Sequence, residues 1–315
     1  MEKDAKIYVS GHEGMIGSAA VRRLQAAGFT RVLTESPGRL DVTDQKAVFD
    51  FFAGHKPDYV FLATTALGGI QANIDRPAEF IYVNLQAQSN IIHAAWKTGV
   101  KKLLFWASSC IYPRECPQPM QEEYLLTGAM EPTSEAYAIA KAAGIRMCQA
   151  YHRQYGTNFI AAVPADAYGP EDDFNPETSH FLPALLRRIH EAKVNGDGQV
   201  SVWGTGAPRR EALYADDLAD ASIFLMDRYD RPDVINIGSG TDHTIKELTR
   251  TMCRIIGYHG KLVFDTSKPD GAPRKLLDTG KLAALGWSPH VTLEEGVQRT
   301  YSWFKEHISG QTPKE

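Results

Sequence analysis

A glycine-rich loop between a short apolar strand and a helix constrains this sequence more than any other feature. The segment Lys6 to Ser10 has the composition of a strand, and it is followed by Gly11, Gly14 and Gly17 and then by the helical run Ser18 to Ala27. In this context, Gly11 and Gly14 let backbone N–H groups approach a pyrophosphate at the helix N-terminus, and Gly17 lets the helix pack closely on the strand. An ordinary glycine-rich turn is the alternative, but the order strand, loop, helix favours a dinucleotide-binding loop.

Short β-rich segments alternate with amphipathic segments throughout the first half of the chain. This alternation predicts an α/β fold with a doubly wound parallel sheet of the Rossmann type, whose ligands lie beyond the carboxyl ends of the strands. The predicted strands are Lys6 to Ser10, Val32 to Thr34, Tyr59 to Leu62, Lys102 to Trp106 and Asn158 to Val163. Site residues are therefore expected just after these segments.

The chain of 315 residues is long for one compact unit. From about Asp166 it becomes richer in loops, so we predict a dinucleotide-binding domain over residues 1–165 and a smaller C-terminal α/β substrate lobe over residues 166–315. A late β-rich segment within 233–238 is expected to return to the main sheet. The two units are therefore predicted to be interleaved.

Composition narrows the class of partner. The 34 Lys and Arg residues are balanced by 38 Asp and Glu residues, and no long basic run could follow a phosphate backbone, so no nucleic-acid partner is expected. No apolar stretch reaches the length of a signal or a membrane span, which predicts a cytoplasmic protein without a membrane partner. The cysteines form no CxxC pair, so neither a metal site nor a disulfide is expected; they are Cys110, Cys116, Cys148 and Cys253.

Tyr137 and Lys141 stand four residues apart in a helical pattern and so share one face of the helix. An ammonium beside a phenol favours the phenolate, so this pair can exchange a proton with a carbonyl oxygen. Ser108, just beyond the strand Lys102 to Trp106, would hydrogen-bond the same oxygen. A Tyr-x-x-x-Lys pair alone occurs by chance, but its combination with the glycine loop and Ser108 predicts a carbonyl reductase.

Two further residues extend this chemistry to the carbons beside a ketone. If the extended geometry persists past the strand, the thiol of Cys110 points to the same side as the hydroxyl of Ser108. His180 precedes the helical run Phe181 to His190 and can act as a second acid or base. From the residues alone, Cys110 can equally be an inert buried thiol, and His180 a surface histidine at a helix start.

These motifs resemble those of the extended short-chain dehydrogenases/reductases and, over nearly the whole chain, those of the GDP-fucose synthases. The resemblance is carried by His12 to Gly17, Gly68 to Ile70, Asn90 to Ala95, Ser108 to Pro113, Glu131-Pro132, Tyr137 to Lys141, Tyr168 to Pro170, Ser179-His180, Pro183 to Ala192 and Lys268 to Asp278. It implies 3,5-epimerisation and 4-reduction of GDP-4-keto-6-deoxymannose. It also implies a homodimer that pairs the helices around Phe80 to Trp96 and Tyr137 to Tyr155.

The resemblance implies a role for each site residue. Cys110 and His180 would be the epimerisation acid and base, and Ser108, Tyr137 and Lys141 the reductase triad. A GDP-sugar would contact Arg188, Trp203, Arg210 and Lys268, whose alternative roles are ion pairing and core packing. The expected contacts of the coenzyme are Gly11, Gly14, Met15, Ile16, Gly17, Glu35, Tyr137, Lys141, Pro164 and His180.

The choice between the two nicotinamide coenzymes stays open. The resemblance implies NADP(H), but Glu13 and Glu35 stand where the family has arginines, and each would repel a 2′-phosphate by about 1 kcal/mol. Arg39 could offset part of this repulsion, and both glutamates could instead point into solvent. Locally, the sequence favours NAD(H).

Other departures from the family pattern leave the substrate open. Asp166 puts a carboxylate where the family has a neutral amide, and Thr64 to Gly69 differs from the family segment. A related GDP-4-keto-sugar, such as a colitose or heptose precursor, is one alternative. A pure 4-reductase, an epimerase that retains NAD, and a dinucleotide sensor without catalysis are the others.

Overall fold

The computed structural model describes residues 1–64, 66, 68–176, 178–268 and 270–309. Twelve strands lie within these residues: β1 Lys6–Ser10, β2 Arg31–Leu33, β3 Tyr59–Leu62, β4 Lys102–Trp106, β5 Asn158–Pro164, β6 Asp166–Tyr168, β7 Gln199–Trp203, β8 Arg209–Tyr214, β9 Ile235–Ile237, β10 Asp242–Thr244, β11 Lys261–Asp265 and β12 Arg274–Lys275.

Ten α-helices connect these strands within the described part of the chain. They are α1 Met15–Ala26, α2 Gln45–His55, α3 Ile70–Asp75, α4 Pro77–Lys97, α5 Glu135–Tyr155, α6 Phe181–Asn195, α7 Ala215–Arg228, α8 Ile245–Ile256, α9 Gly280–Ala284 and α10 Leu293–His307. The first helix begins at Met15 rather than at Ser18, because Gly14 is its N-cap residue. The glycine loop is therefore shorter than its sequence pattern predicts.

The main sheet has six parallel strands in the order β2-β1-β3-β4-β5-β9. This arrangement confirms the predicted doubly wound α/β fold. Strand β2 runs over Arg31–Leu33, one residue earlier than the predicted Val32 to Thr34. The late segment does return to the main sheet as β9, where Ile237 pairs with Pro164 of β5.

The apolar content of the central strands explains why they lie inside. Every residue of β3 and β4 is buried, as expected for parallel strands that are covered by helices on both faces. The carboxyl ends of β1, β4 and β5 thus meet along one edge of a rigid sheet. That edge is where the loops that carry the predicted site residues begin.

The second half of the chain builds smaller sheets around β8. Strand β8 lies between β10 and β12 and also pairs with β6 through Ala212 to Tyr214. Strands β7 and β11 form a separate parallel pair. A hydrophobic cluster separate from the main core draws its buried residues from positions 168 to 304. The boundary at residue 165 stays a prediction, and residues 310–315 of the predicted lobe lie outside the described residues.

Three further observations concern ions, membranes and thiols. Within the described residues, no group of three or more His, Cys, Asp or Glu side chains could hold a metal ion. None of the helices in this part of the chain is long and apolar enough to cross a membrane. Cys110, Cys116, Cys148 and Cys253 are all free thiols.

Candidate active site

The glycine loop has the geometry of a phosphate cradle. Gly11 has a φ of +68°, a conformation that favours glycine, and a Cβ there would lie 2.8 Å from the backbone nitrogen of Thr64. A Cβ on Gly17 would lie 2.1 Å from the carbonyl oxygen of Gly11, so only glycine allows this close packing. The helix cap at Gly14 has no side-chain hydrogen bond. Its first N–H groups are thus available to an anion.

A second observation in the loop fits a bound dinucleotide. The Nδ1 atom of His12 is buried and finds no hydrogen-bond partner among the described residues. A buried polar atom of this kind normally has a partner, and a coenzyme phosphate or ribose can provide one. The loop residues therefore fit a dinucleotide, with Met15 and Ile16 in the first turn of α1 beside it.

The acidic residues predicted to control coenzyme choice lie in different environments. Glu35 follows β2, is partly buried, and raises the pKa of Tyr8, although burial of that tyrosine is the larger cause. Glu35 thus lies near the carboxyl ends of β1 and β2, where a dinucleotide ribose lies in this fold. Glu13 and Arg39 are exposed.

The predicted triad gathers at the carboxyl end of β4. Lys141 Nζ donates a hydrogen bond of 3.2 Å to the carbonyl oxygen of Trp106, the last residue of that strand. The same Nζ lies 5.8 Å from the centroid of the Tyr137 ring. Ser108, two residues beyond the strand, accepts a hydrogen bond of 3.3 Å from the backbone N–H of Cys110. The three side chains therefore surround one strand end.

Burial gives Lys141 unusual acidity for a lysine. The residue is only 2% exposed, and this desolvation lowers its pKa from 10.5 to about 7. Removal of water disfavours the ammonium form, so the proton can leave the lysine near neutral pH. Lys141 can thus pass a proton toward the adjacent phenol rather than act only as a fixed charge.

The extended geometry predicted after β4 is wrong. Residues Ser109–Ile111 form a short 3₁₀ helix that Ser108 caps, because the Ser108 hydroxyl accepts the N–H of Cys110 and turns the chain. Cys110 nevertheless packs against a small buried cluster that contains Tyr137, Phe80 and Ala72. The thiol is half-buried beside the triad, for a reason other than the predicted one.

A loop contact positions His180 at the N-terminus of α6. Gly69 donates a backbone hydrogen bond of 2.9 Å to the carbonyl oxygen of Thr178, and a Cβ on Gly69 would lie 3.0 Å from the carbonyl oxygen of Ser179. Two segments of the family pattern, 68–70 and 179–180, thus contact each other. Thr65 and Leu67, in the predicted divergent segment, lie outside the described residues.

The environment of His180 favours its neutral form. Its residue surface is exposed in an open cleft, but the protein atoms around the ring lower its pKa by desolvation. The carboxylates of Asp166 and Asp173 raise the pKa and partly oppose this effect, while Lys275 lowers it. A largely neutral imidazole can accept a proton from an acidic carbon, and it can return one once charged.

The carboxyl end of β5 brings acidic side chains into the cleft. Pro164 is the last residue of that strand and is buried, and Asp166 begins β6 two residues later. Asp166 lines a small cavity together with Glu211 and Lys275. Burial, together with the nearby Asp166 charge, raises the pKa of Glu211 to about 7, while its hydrogen bonds from Leu277 and Gly240 lower it.

The residues predicted to bind a nucleotide lie on the second group of strands. Trp203, at the end of β7, is 65% exposed, which excludes a core-packing role. Lys268 Nζ lies 5.4 Å from the centroid of the Trp203 ring. Arg188 is exposed and donates a hydrogen bond of 3.0 Å to the carbonyl oxygen of Ser201, also on β7. All three side chains thus belong to β7 or contact it.

Arg210 is held more rigidly than the other predicted substrate residues. It donates hydrogen bonds of 2.8 and 2.7 Å to the carbonyl oxygens of Arg209 and Ala272. Asp270 is close enough to raise the pKa of Arg210, although burial has the larger, opposite effect. A Cβ on Gly204 would lie 2.2 Å from Oδ1 of Asp270, so that carboxylate lies beside the Trp203 loop.

Sequence reasoning did not single out Lys275, Glu211 or Asp270. Lys275 Nζ lies 3.9 Å from Cys110 Sγ, yet the two residues are 165 positions apart in the chain. The segment Lys268 to Asp278 belongs to the family pattern, and that membership is the only signal that pointed toward Lys275 and Asp270. For Glu211, which follows two arginines in β8, the sequence gives no sign of a buried polar role.

The glycine loop and the residues at the end of β4 define a dinucleotide-dependent enzyme, and comparison with known families identifies its class. The model of the NAD dependent epimerase/dehydratase family matches residues 7–238. The chain therefore belongs to this family, the extended short-chain dehydrogenases/reductases, whose members are NAD(P)-dependent epimerases and reductases.

Individual relatives confirm the narrower resemblance to the GDP-fucose synthases. The chain is 55% identical to GDP-L-fucose synthase 1 of Arabidopsis thaliana, over 98% of this chain and 95% of the relative. It is 48% identical to GDP-L-fucose synthase of Escherichia coli, over 96% of this chain and 97% of that one. Among solved structures, the GDP-mannoheptose C4 reductase of Campylobacter jejuni with NADP bound is 40% identical, with a TM-score of 0.89 over 97% of this chain and 99% of that chain.

Proposed function

We propose that this protein converts GDP-4-keto-6-deoxymannose to GDP-L-fucose by epimerisation at C3 and C5 and reduction at C4. The observation that carries the proposal is the grouping of Cys110 with Tyr137 in one small cluster at the carboxyl end of β4, beside Ser108 and Lys141. Groups for proton exchange at carbon and for ketone reduction thus lie around one strand end. The high identity to two GDP-L-fucose synthases supports the same substrate.

In the reduction, Ser108 and Tyr137 hold the C4 ketone oxygen. Tyr137 gives its phenolic proton to that oxygen, and Lys141 restores the proton through the buried side of the cleft. The loop Gly11 to Gly17 and Pro164 would hold a nicotinamide coenzyme, which would supply the hydride. The pKa of Lys141, lowered by burial to about 7, suits this proton relay near neutral pH.

In the epimerisation, Cys110 and His180 act on the carbons beside the ketone. A hydrogen on either carbon is acidic because the resulting negative charge is delocalised onto the ketone oxygen. One residue removes the proton, and the other gives a proton to the opposite face. His180 is suited to this exchange because desolvation lowers its pKa and favours the neutral form, while Asp166 and Asp173 oppose this effect and help the ring to take up a proton.

The GDP moiety would lie along the second group of strands. Arg188 and Lys268 provide positive charge for the diphosphate, and the exposed indole of Trp203 can stack on the base or the sugar. Arg210 has a fixed guanidinium, and its donors that do not bind Arg209 and Ala272 can hold a phosphate oxygen.

We propose that the enzyme accepts NADH as well as NADPH. The similarity to a reductase solved with NADP favours NADPH. However, Glu35 lies near the ends of β1 and β2, and Glu13 lies in the glycine loop, so both would repel a 2′-phosphate. Arg39 is exposed and can offset only part of this repulsion.

We also propose a homodimer formed by α4 and α5. Tyr82 on α4 is 60% exposed and Ile139 on α5 is 43% exposed, although large apolar side chains are normally buried. The two helices pack against each other, so a second copy can cover both side chains in one symmetric interface. We further expect the enzyme to act in the cytoplasm, since Cys110 must remain a reduced thiol.

The test is incubation of the purified protein with GDP-4-keto-6-deoxymannose in deuterium oxide, with NADH or NADPH, and identification of the product by NMR. GDP-L-fucose with deuterium at C3 and C5 is the expected product. A 4-reduced sugar without deuterium at either carbon would instead favour a pure 4-reductase. That second candidate is favoured by the likeness to the heptose reductase. Coenzyme binding without any turnover would indicate a sensor.

A further inference from the structure

Lys275 lies close to the thiol of Cys110. The Nζ atom of Lys275 is 3.9 Å from Sγ, and this lysine ends β12, which pairs with β8. Its backbone is fixed by that pairing, with Lys275 opposite Arg210. Because the strand holds the backbone, the ammonium group is brought to the sulfur by the fold and not by a free surface chain.

The groups around Lys275 are both acidic and basic. The Cys110 sulfur is the largest influence and raises the lysine pKa; burial lowers it, Asp166 and Glu131 raise it, and Arg210 lowers it. Lys275 in turn acts on the pKa values of Cys116 and His180. Glu211 lines the same small cavity as Lys275 and Asp166, and its pKa of about 7 makes it partly neutral there. The carboxylates keep the lysine charged, so a cation faces the thiol.

We propose that Lys275 is a positioning residue that holds Cys110 as a thiolate directed at the carbon to be epimerised. The inference rests on the proposed function, because epimerisation requires removal of a proton from carbon and the thiolate is the form of Cys110 that can remove it. A positive charge near a cysteine favours the thiolate, as is typical of reactive cysteines. Among the described residues, Lys275 is the cation within hydrogen-bond distance of the Cys110 sulfur, so it is the group that can make this cysteine reactive.

This step neither consumes nor releases a proton overall. The thiolate of Cys110 forms an S–H bond as the C–H bond breaks, and the electron pair of that bond passes to the ketone oxygen. Protonated His180 then gives its proton to the opposite face of the carbon. The thiol proton returns to the imidazole through solvent, and no oxidant or reductant is consumed. Lys275 keeps its proton throughout and only stabilises the charge on sulfur.

The experiment measures thiolate formation without any sugar nucleotide. Wild type, Lys275→Met and Lys275→Arg are alkylated with iodoacetamide between pH 5 and pH 10, and modification of Cys110 is counted by mass spectrometry of its peptide. In Lys275→Met we expect the midpoint of the pH profile to rise by about one unit, which makes alkylation at pH 7 about tenfold slower. Lys275→Arg keeps the charge and should stay near the wild-type profile.

Two controls accompany these variants. Cys253 is an internal reference, because burial alone raises its pKa to about 11 and its alkylation should not change in either variant. Lys268→Met removes another lysine from the same segment and should leave the Cys110 profile unchanged. If Lys275→Met does not fold, Lys275→Gln replaces it, with the same expected shift.

An unchanged Cys110 midpoint in folded Lys275→Met or Lys275→Gln would overturn the proposal. Such a result with a raised KM would mean that Lys275 contacts the substrate instead. The outcome is separable from that of the proposed function, because alkylation needs no substrate. Failure to form GDP-L-fucose, together with a Lys275-dependent profile, would reject only the proposed function.

Discussion

Lys141 Nζ lies 5.8 Å from the centre of the Tyr137 ring, one turn away on the same helix, while its hydrogen bond to Trp106 ties it to the end of β4. The lysine is therefore placed by two elements at once, and it is buried as a result. This burial favours proton transfer but works against folding, because water would stabilise the charged form. The burial of Lys141 therefore affects both proton transfer in the site and the stability of the protein.

We predict that Lys141→Met stabilises the protein at neutral pH while abolishing reduction. The folded-state pKa of about 7 is below the ordinary value of 10.5, so burial of this lysine costs stability fully below pH 7, and the cost disappears as the pH rises toward 10.5. The gain in the free energy of unfolding should be on the order of a few kcal/mol at pH 7 and close to zero above pH 10. Urea unfolding at the two pH values measures it.

Lys102→Met is the matched control for that experiment. Lys102 is also a buried lysine, but it bonds to the carbonyl oxygens of Leu225 and Met226 at 3.0 and 2.9 Å and to Asp230 at 2.8 Å. Its replacement removes three hydrogen bonds and the ion pair with Asp230, so stability should fall rather than rise. Equal destabilisation by both variants would mean that other interactions in the fold offset the cost of burying the Lys141 ammonium.

We predict that the two chemical steps can be separated by mutation. Tyr137→Phe removes the proton donor for the ketone oxygen and should lower reduction at least a hundredfold, while deuterium exchange at C3 and C5 persists. Cys110→Ser should do the opposite and prevent exchange, while a pre-epimerised 4-keto-sugar is still reduced. NMR of the exchanged positions and coenzyme absorbance follow the two steps. Equal loss of both activities in both variants contradicts this division of roles.

We predict that Glu35 contributes to coenzyme choice. Glu35→Gln removes one negative charge near the ribose and should improve kcat/KM for NADPH by roughly fivefold, from about 1 kcal/mol of repulsion, without changing that for NADH. Glu13→Gln should add a similar factor if its carboxylate also faces the phosphate. Steady-state rates with each coenzyme at low ionic strength make the comparison. A ratio unchanged in the double variant would mean that both glutamates face solvent.

We predict that Asp166 adjusts the acid form of His180. Asp166 raises the pKa of that imidazole against the larger effect of burial, so Asp166→Asn should lower it further. Less of the imidazole is then protonated at pH 7, and the optimum of C3 and C5 exchange should move to lower pH. NMR titration of the His180 ring checks the change directly. A rise in the His180 pKa, or no change, argues against this coupling.

We predict that the dimer interface depends on α4 and α5. The double variant Tyr82→Glu and Ile139→Glu introduces charges where apolar contact is expected, so its solution mass should fall to the 34.9 kDa of one chain. Val194→Glu is the control, since Val194 is 69% exposed but lies on α6. Light scattering after size-exclusion chromatography gives the masses. A wild-type protein that is already monomeric rejects the interface.

The sequence by itself determined the features that depend on local spacing. The strand before Gly11, the glycine contacts of the cradle and the four-residue spacing of Tyr137 and Lys141 are local patterns that follow from helix and strand geometry. The parallel, doubly wound arrangement of the main sheet also follows from the alternation of strands and helices. The resemblance to a family was visible for the same reason, since its motifs lie in short contiguous segments.

Only the tertiary structure decided how distant groups meet. Cys110 lies beside Lys275 although the two residues are 165 positions apart, and Gly69 contacts the segment that carries His180. Neither contact can be predicted from the spacing of neighbouring residues. The capping bond from Cys110 to Ser108 replaced the extended geometry expected after β4, because a side-chain acceptor competed with the strand. Electrostatic influence depends on distance and burial in space, so the protonation of Lys141, His180 and Glu211 required the folded arrangement.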